Sequence, residues 1–283
     1  MKLLLKSLCL MVILTVVMFG IASAEFVTLS ESLNNNGKFI NGVYNNNRLF
    51  VATEYGVANY NVSGTPTLTV ETGTEGVASD VYLNGAFLYV ADGYNGFLVM
   101  SAASLQILGH AAGTNFNGPV TSIDFNNNRV YAALGNGGVA IIDVSIPGSP
   151  TVLAQQSTPY RAVDLDYYDG YLYVSDMTSV ISYDVASDVF TQVDSETPPM
   201  GNFYGLAGNS GVLAVANGSN GVVGYTLSSG QMTSDWNTVT SVAFDVIPYM
   251  SDFAVSLQNN GMMMLNSGGQ ATDVGQVFCF VQD

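Results

Sequence analysis

The chain has 283 residues, of which only six are Lys or Arg against 22 Asp or Glu, for a formal net charge of −16. A chain this acidic repels nucleic acid and anionic lipid, so both are excluded as partners on electrostatic grounds. Apolar residues make up 48 % of it, with 16 Tyr and 14 Phe, enough for a large core.

The first 24 residues read as an export leader. Lys2 and Lys6 precede an apolar run from about Leu8 to Ile21, and Ala22-Ser23-Ala24 gives the small-residue pattern cut by a signal peptidase. The apolar run is short for a membrane span. Cleavage is expected after Ala24, which makes residue 25 Glu and not the Cys of a lipoprotein. The mature chain then runs from Glu25 to Asp283 as a single domain with four basic residues, Lys38, Arg48, Arg129 and Arg161, and a net charge of −18. No second long apolar run suggests stable membrane insertion, and no sorting tail is visible at the end, so secretion and a periplasmic location are equally expected. Of the two Cys, Cys9 leaves with the leader, and Cys279 is left with no intrachain partner for a disulfide.

Beyond the leader the chain repeats. YNNNRLFVA at Tyr44–Ala52 returns as FNNNRVYAA at Phe125–Ala133. The same apolar pair recurs in LYVA, LYVS, LAVA and FAVS, and anchors at Val51, Val90, Ala132, Val174, Val215 and Val255 lie 39, 42, 42, 41 and 40 residues apart. The third copy shows the internal order. VTSIDF (Val120–Phe125) alternates as a strand, NNNR (Asn126–Arg129) turns, and VYAAL (Val130–Leu134) is a second strand. GNGG (Gly135–Gly138) is a tight turn built from residues that tolerate positive φ. VAIIDV (Val139–Val144) is a third strand, SIPGSP a loop, and TVLAQQ (Thr151–Gln156) a fourth. Four short antiparallel strands in about 40 residues match one blade of a β-propeller. The expected fold is therefore all-β, a six-bladed propeller, with seven blades, one partial, as the alternative. A lone blade exposes two apolar faces, and ring closure buries them. FVTLSES (Phe26–Ser32) or VFCFVQD (Val277–Asp283) is expected to complete a blade begun at the other end of the chain.

Three stretches carry a family resemblance: GVANYNVSGTPTL (Gly56–Leu68), LYVADGYNGFLVM (Leu88–Met100) and GGVAIIDVSIPGSPTVLAQ (Gly137–Gln155). They resemble the LVIVD repeat, which runs through YVADG, then GL, then a DVSDP corner. That corner is DVSIP at Asp143–Pro147 and fades to DVASD, TLSSG and LNSGG in later units. The resemblance implies a secreted or surface β-propeller of bacteria or archaea. It bears on fold and location more than on chemistry.

Ten residues before each anchor stand Asn41, Asp80, Ser122, Asp164, Gly205 and Asp245, on the strand nearest the axis; Asp124 and Asp166 follow two residues later in units three and four. A ring of oxygens there could hold a hard cation such as calcium, with Asn41, Asp80, Ser122, Asp164 and Asp245 as ligands. The plainer reading is that each bonds a backbone N–H of the next blade or lines a wet channel. Other candidates read as structural. His110, the one His, is expected in an exposed outer strand or loop, and GNGG and GSNG (Gly218–Gly221) as hairpin turns with no helix to receive a phosphate. Glu54, Asp92, Asp176 and Asp184 are expected on the solvated blade surface. Met262–Met264 should send alternate residues between blades, and Trp236, near Tyr225 and Tyr249, should pack in the core.

No set of residues in the chain forms a catalytic constellation. The expected function is a secreted or periplasmic, non-enzymatic binding or scaffolding module for a protein or glycan. The alternative is a metal-dependent hydrolase of the six-bladed lactonase type, although no Glu occupies the recurring axial position. A quinone-dependent dehydrogenase is disfavoured by the scarcity of basic residues to hold an anionic cofactor.

Overall fold

The computed structural model describes residues 39–198, 201–258 and 261–273, and outside them only the two-residue strand pieces Lys2–Leu3, Ile13–Leu14 and Val27–Thr28. Six antiparallel sheets of four consecutive strands form six blades in a ring. The inner strands, which start the blades, are Phe39–Asn45, Asp80–Asn84, Ser122–Asn126, Asp164–Tyr168, Leu206–Asn209 and Ala243–Tyr249. They lie side by side in that order around the axis. The one helical element among the described residues is a single 3-10 turn at Gly113–Asn115, so none is long and apolar enough to cross a membrane.

The repeated phrase is the first hairpin of a blade. Asn46 and Asn47 both take positive φ, as do Asn127 and Asn128, Asp169 and Gly170, and Ser210 and Gly211. Two consecutive left-handed residues make the tight turn whose twist matches the strands it joins, and Asn, Asp and Gly enter that region at least cost. Four units thus preserve a backbone requirement with different residues. GNGG and GSNG are hairpin turns of the same blades, with Gly135, Gly138, Gly218 and Gly221 all at positive φ.

Strand alternation directs each blade toward both neighbours. In Arg129–Ala133, Val130 and Ala132 pack against blade two while Tyr131 and Ala133 pack against blade four. A period of two places successive side chains on opposite faces, so a strand buried on both faces reads as a nearly unbroken apolar run. Apolar clusters of this kind join blades one and two, two and three, three and four, four and five, and five and six. Stacked aromatic rings cross two of these junctions. Tyr89 stacks on Phe125 at 5.3 Å, and Tyr131 on Tyr167 at 5.2 Å with the rings parallel to within 1°.

The expected sharing of a blade between the two chain ends is corrected here. The sixth unit supplies its own fourth strand, Ala271–Asp273, so all six blades are complete from consecutive residues. Val27–Thr28, within FVTLSES, pairs with Ile13–Leu14 and not with a blade. VFCFVQD and Cys279 lie outside the described residues. Met263 is buried between blades five and six, and Trp236 packs on the same cluster. Trp236 lies where Cβ atoms on Gly224 and Gly269 would fall, at 2.0 and 2.4 Å. Tyr225 is buried at the opposite face, between blades four and five.

Two predictions follow from this packing. Phe253→Ala, at a wholly buried position between blades five and six, is expected to cost about 3–5 kcal/mol, read as a lower midpoint in chemical unfolding. Alkaline pH should also destabilise the fold. Burial pushes the phenols of Tyr60, Tyr89, Tyr131, Tyr173 and Tyr225 up, and that of Tyr183 up to about 12. A pKa raised in the folded state stabilises it fully below the unfolded value of about 10, and the contribution is lost above that. Unfolding free energy measured from pH 8 to 12 should therefore fall above pH 10, in step with tyrosinate absorbance.

Candidate functional site

In blades two to six the inner strand is the edge of its sheet, with a row of N–H groups that no fifth strand pairs, while in blade one Lys2–Leu3 pairs with the inner strand at Gly42 and Val43. Buried amides need acceptors. The polar residues at the recurring axial position supply them, largely from the preceding blade. The Asp80 carboxylate accepts from the Val81 N–H at 2.8 Å and, through its other oxygen, from the Ile123 N–H of blade three at 2.8 Å. Asn41 Nδ2 of blade one donates to Asp80 Oδ1. The Ser122 hydroxyl lies 2.6 Å from Asp164 Oδ1 and 3.2 Å from Asp80 Oδ2, so its single proton favours Asp164. Asp164 Oδ2 accepts from the Leu206 N–H of blade five at 3.1 Å. Asp124 and Asp166 repeat the motif two residues on, accepting from the Tyr167 N–H at 2.7 Å and the Gly208 N–H at 2.8 Å.

Of the five expected ligands, Asn41, Asp80, Ser122 and Asp164 thus join in one hydrogen-bonded chain across blades one to four. Asp245 lies in blade six. It accepts from its neighbour Val246 N–H at 2.9 Å and lies over Gly205, where a Cβ would fall 1.8 Å from its Oδ1. Gly occupies the fifth axial position because the carboxylate fills the space a side chain would need. Asp80, Asp164 and Asp245 are all buried. Among the described residues, no three His, Cys, Asp or Glu side chains gather into a group that could hold a metal ion.

The reading of Asp92 and Asp176 as solvated surface is corrected. Both are fully buried, whereas Glu54 and Asp184 are exposed. Asp92 accepts from Thr74 Oγ1 at 2.6 Å, the Gly76 N–H at 3.2 Å and Asn95 Nδ2 at 2.6 Å. Asp176 accepts from the Tyr160 N–H at 3.1 Å, the N–H and hydroxyl of Thr178, and the N–H and hydroxyl of Ser179. Each carboxylate ties the loop entering its blade to the blade's second hairpin, a long-range role that the local sequence does not display. His110 is exposed on the outer strand Ile107–Ala112, its Nε2 2.8 Å from the Asn95 carbonyl oxygen.

The loops entering the blades and the second hairpins share one face of the ring. That face carries what the sequence reading missed. Tyr55, Tyr94 and Tyr160 are the exposed aromatic residues among those described, at 66, 83 and 60 %, and all three stand there. Exposed Val77 and Val239 lie in entry loops of the same face. A hollow of about 510 Å³ opens beside Tyr160 and Arg161. The available signal was positional: these tyrosines sit in EYG, GYNG and PYR, at turns and not within strands.

The family model for the LVIVD repeat matches residues 75–100 and 117–158, which fall in blades two and three. Blades two and three match the LVIVD repeat within the six-bladed propeller. No curated protein matches the chain. Solved structures that share this propeller fold at low identity include the following three. The computationally designed Ika8 protein aligns at TM-score 0.66 and 11 % identity, covering 84 % of this chain and 74 % of its own. The Cps50 (Swd1) β-propeller domain of Myceliophteria thermophila aligns at 0.65 and 12 %, covering 83 and 88 %. BamB from Moraxella catarrhalis aligns at 0.56 and 11 %, covering 82 and 71 %.

Removing the shared acceptor should separate the two uses of the axial oxygens. Asp80→Ala removes the carboxylate that accepts from the Val81 and Ile123 N–H groups in a buried site and is expected to cost on the order of 2–4 kcal/mol, with Asp80→Asn costing less because one oxygen remains. Calcium titrated into chelator-treated protein is expected to leave the thermal midpoint within about 1 °C, since a bound ion would raise it by mass action. A rise of several degrees would assign these oxygens to a cation instead.

Proposed function

We propose that this protein is an extracytoplasmic, non-enzymatic binding module that holds a protein or glycan ligand on the face bearing its entry loops and second hairpins. The observation that carries the reading is the gathering of Tyr55, Tyr94 and Tyr160 on that face, while the other described aromatics are buried or half-buried. Exposed tyrosine gives large, rigid contact area at small entropic cost, with a hydroxyl still able to bond. A rigid frame presenting loops is also where binding function concentrates. The buried carboxylates support the same reading, because their described hydrogen bonds hold blades together. The leader supports export, and the acidic surface favours solubility and disfavours nucleic acid and anionic lipid as partners.

Two measurements test the proposal. Expressed at full length in a bacterial host, the exported protein is expected to begin at Glu25 by N-terminal sequencing; retention in the cytoplasm with an intact N-terminus would contradict the location. The wild type and a Tyr55→Ala/Tyr94→Ala/Tyr160→Ala variant can then be compared on arrays of glycans and of short peptides. The variant is expected to lose ligands that the wild type retains, with its melting midpoint within about 2 °C of wild type. Equal retention would move the binding surface elsewhere, and a wild type that retains nothing would reject the module reading.

A further inference from the structure

We infer that the hollow beside Arg161 binds a ligand bearing a single carboxylate, specifically an acidic sugar such as a uronic acid residue at the end of a glycan. The inference rests on the binding-module reading above and names the ligand class for one part of that face.

The argument begins with the cations. Arg48 lies over the Phe50 ring at 4.6 Å and donates to the Ala102 carbonyl. Arg129 is gripped by both oxygens of Asp188, at 2.6 and 2.8 Å, with Asp143 at 3.0 Å. Arg161 is exposed and, among the described residues, has neither a side-chain hydrogen bond nor an ion pair. In a chain with 22 acidic residues, that is an unusual place for a guanidinium to be left unengaged. Asp176, the carboxylate that ties this loop down, is wholly buried and turned to the N–H groups and hydroxyls named above.

The guanidinium is also positioned. Its Nε lies over the second hairpin of blade three, 3.9 Å from where a Cβ on Gly135 would stand. The next residue, Ala162, donates its N–H to the Gly135 carbonyl at 3.0 Å, pinning the backbone that carries Arg161. A planar fork on a fixed backbone suits bidentate capture of a carboxylate.

The rest of the lining selects the body of the ligand. Asn136 and Asn202 contribute amides, Thr158 a hydroxyl, and the exposed Tyr160 ring and Met177 apolar surface. No second charged residue lines the hollow. A lining that combines amides, a hydroxyl and an aromatic side chain suits a sugar ring, which presents hydroxyls at its edge and C–H groups on its face. At about 510 Å³ the hollow lies within the usual range of small-ligand sites, about 300–1,000 Å³. The overall charge restricts the ligand further. A polyanion would be repelled by the surrounding surface, while a single carboxylate beside Arg161 gains a local contact that long-range repulsion opposes only weakly.

The test uses the mature chain with three probes followed by calorimetry: the methyl glycoside of galacturonic acid, which carries one carboxylate, its neutral counterpart methyl galactoside, and an N-acetylated tripeptide with a free carboxyl end. The methyl galacturonoside is expected to bind, more weakly as salt rises, with methyl galactoside and the peptide at least tenfold weaker. Arg161→Gln should cost about tenfold or more in affinity for the acid sugar while leaving the melting midpoint unchanged, and Arg161→Lys should recover only part of it. Equal binding of acid and neutral sugars, an Arg161→Gln variant that binds as wild type, or no binding at millimolar probe would each overturn the inference. Peptide binding as tight as the sugar's would overturn the sugar assignment. If Arg161→Gln is silent while the tyrosine triple variant still loses its array ligands, this inference fails and the face reading stands; the reverse pattern keeps this inference and rejects the tyrosines as the contact residues of the face.

Discussion

The structure depends on how the inner edges of its sheets are satisfied. Six strands line the axis, each leaving a row of amides that its own blade cannot pair. Such edges invite pairing with another chain. Here the carboxylates of Asp80, Asp124, Asp164 and Asp166 each reach across to a main-chain N–H of the following blade. The bond links two blades and closes an edge at once. Because an ionised carboxylate accepts without donating, and a charge-assisted bond is the stronger kind, Asp suits this place better than a neutral amide or hydroxyl. Burying these charges would be costly without such partners.

Apolar packing works in the same direction. Each blade buries both faces, and the clusters pair blade with blade in chain order. A second tier of polar ties secures the loops. Asp92 and Asp176 hold the entry loops, and the backbone bridges Gly93–Val120, Gly135–Ala162 and Gly218–Ala243 join each hairpin to the next blade. With the frame held from the axis outward to these loops, side chains on the turns have no packing role. Tyr55, Tyr94, Tyr160 and Arg161 occupy such positions, and for that reason the binding proposals centre on them.

The repeat could be read from the chain because its constraints are local. Two left-handed residues in a hairpin admit few residue types, so Asn-Asn, Asp-Gly and Ser-Gly mark the same turn in different units. A strand covered on both sides must be apolar almost throughout, which makes LYVA and VYAA visible in every unit. The polar interruptions at Asp80, Asp164 and Asp245 were equally visible, and one reading of them was a bond to the next blade's backbone. The exchange of strands between the chain ends was not decidable, since nothing local distinguishes a blade's own fourth strand from one borrowed across the ring.

By itself, then, the sequence determined the unit, the number of units, the turn geometry and the acidity of the surface, because each follows from neighbours in the chain or from composition. Only the tertiary structure decided which oxygen meets which amide. Asp80 meets Ile123 43 residues on and Asp92 meets Gly76 16 residues back; the repeat sets which blades are neighbours, and the folded ring aims each oxygen at its amide. Only the ring, likewise, brought three tyrosines from three different loops to one face and left Arg161 beside a hollow. Turns tolerate many side chains, so the choice of tyrosine or arginine there becomes visible once the loops share a surface.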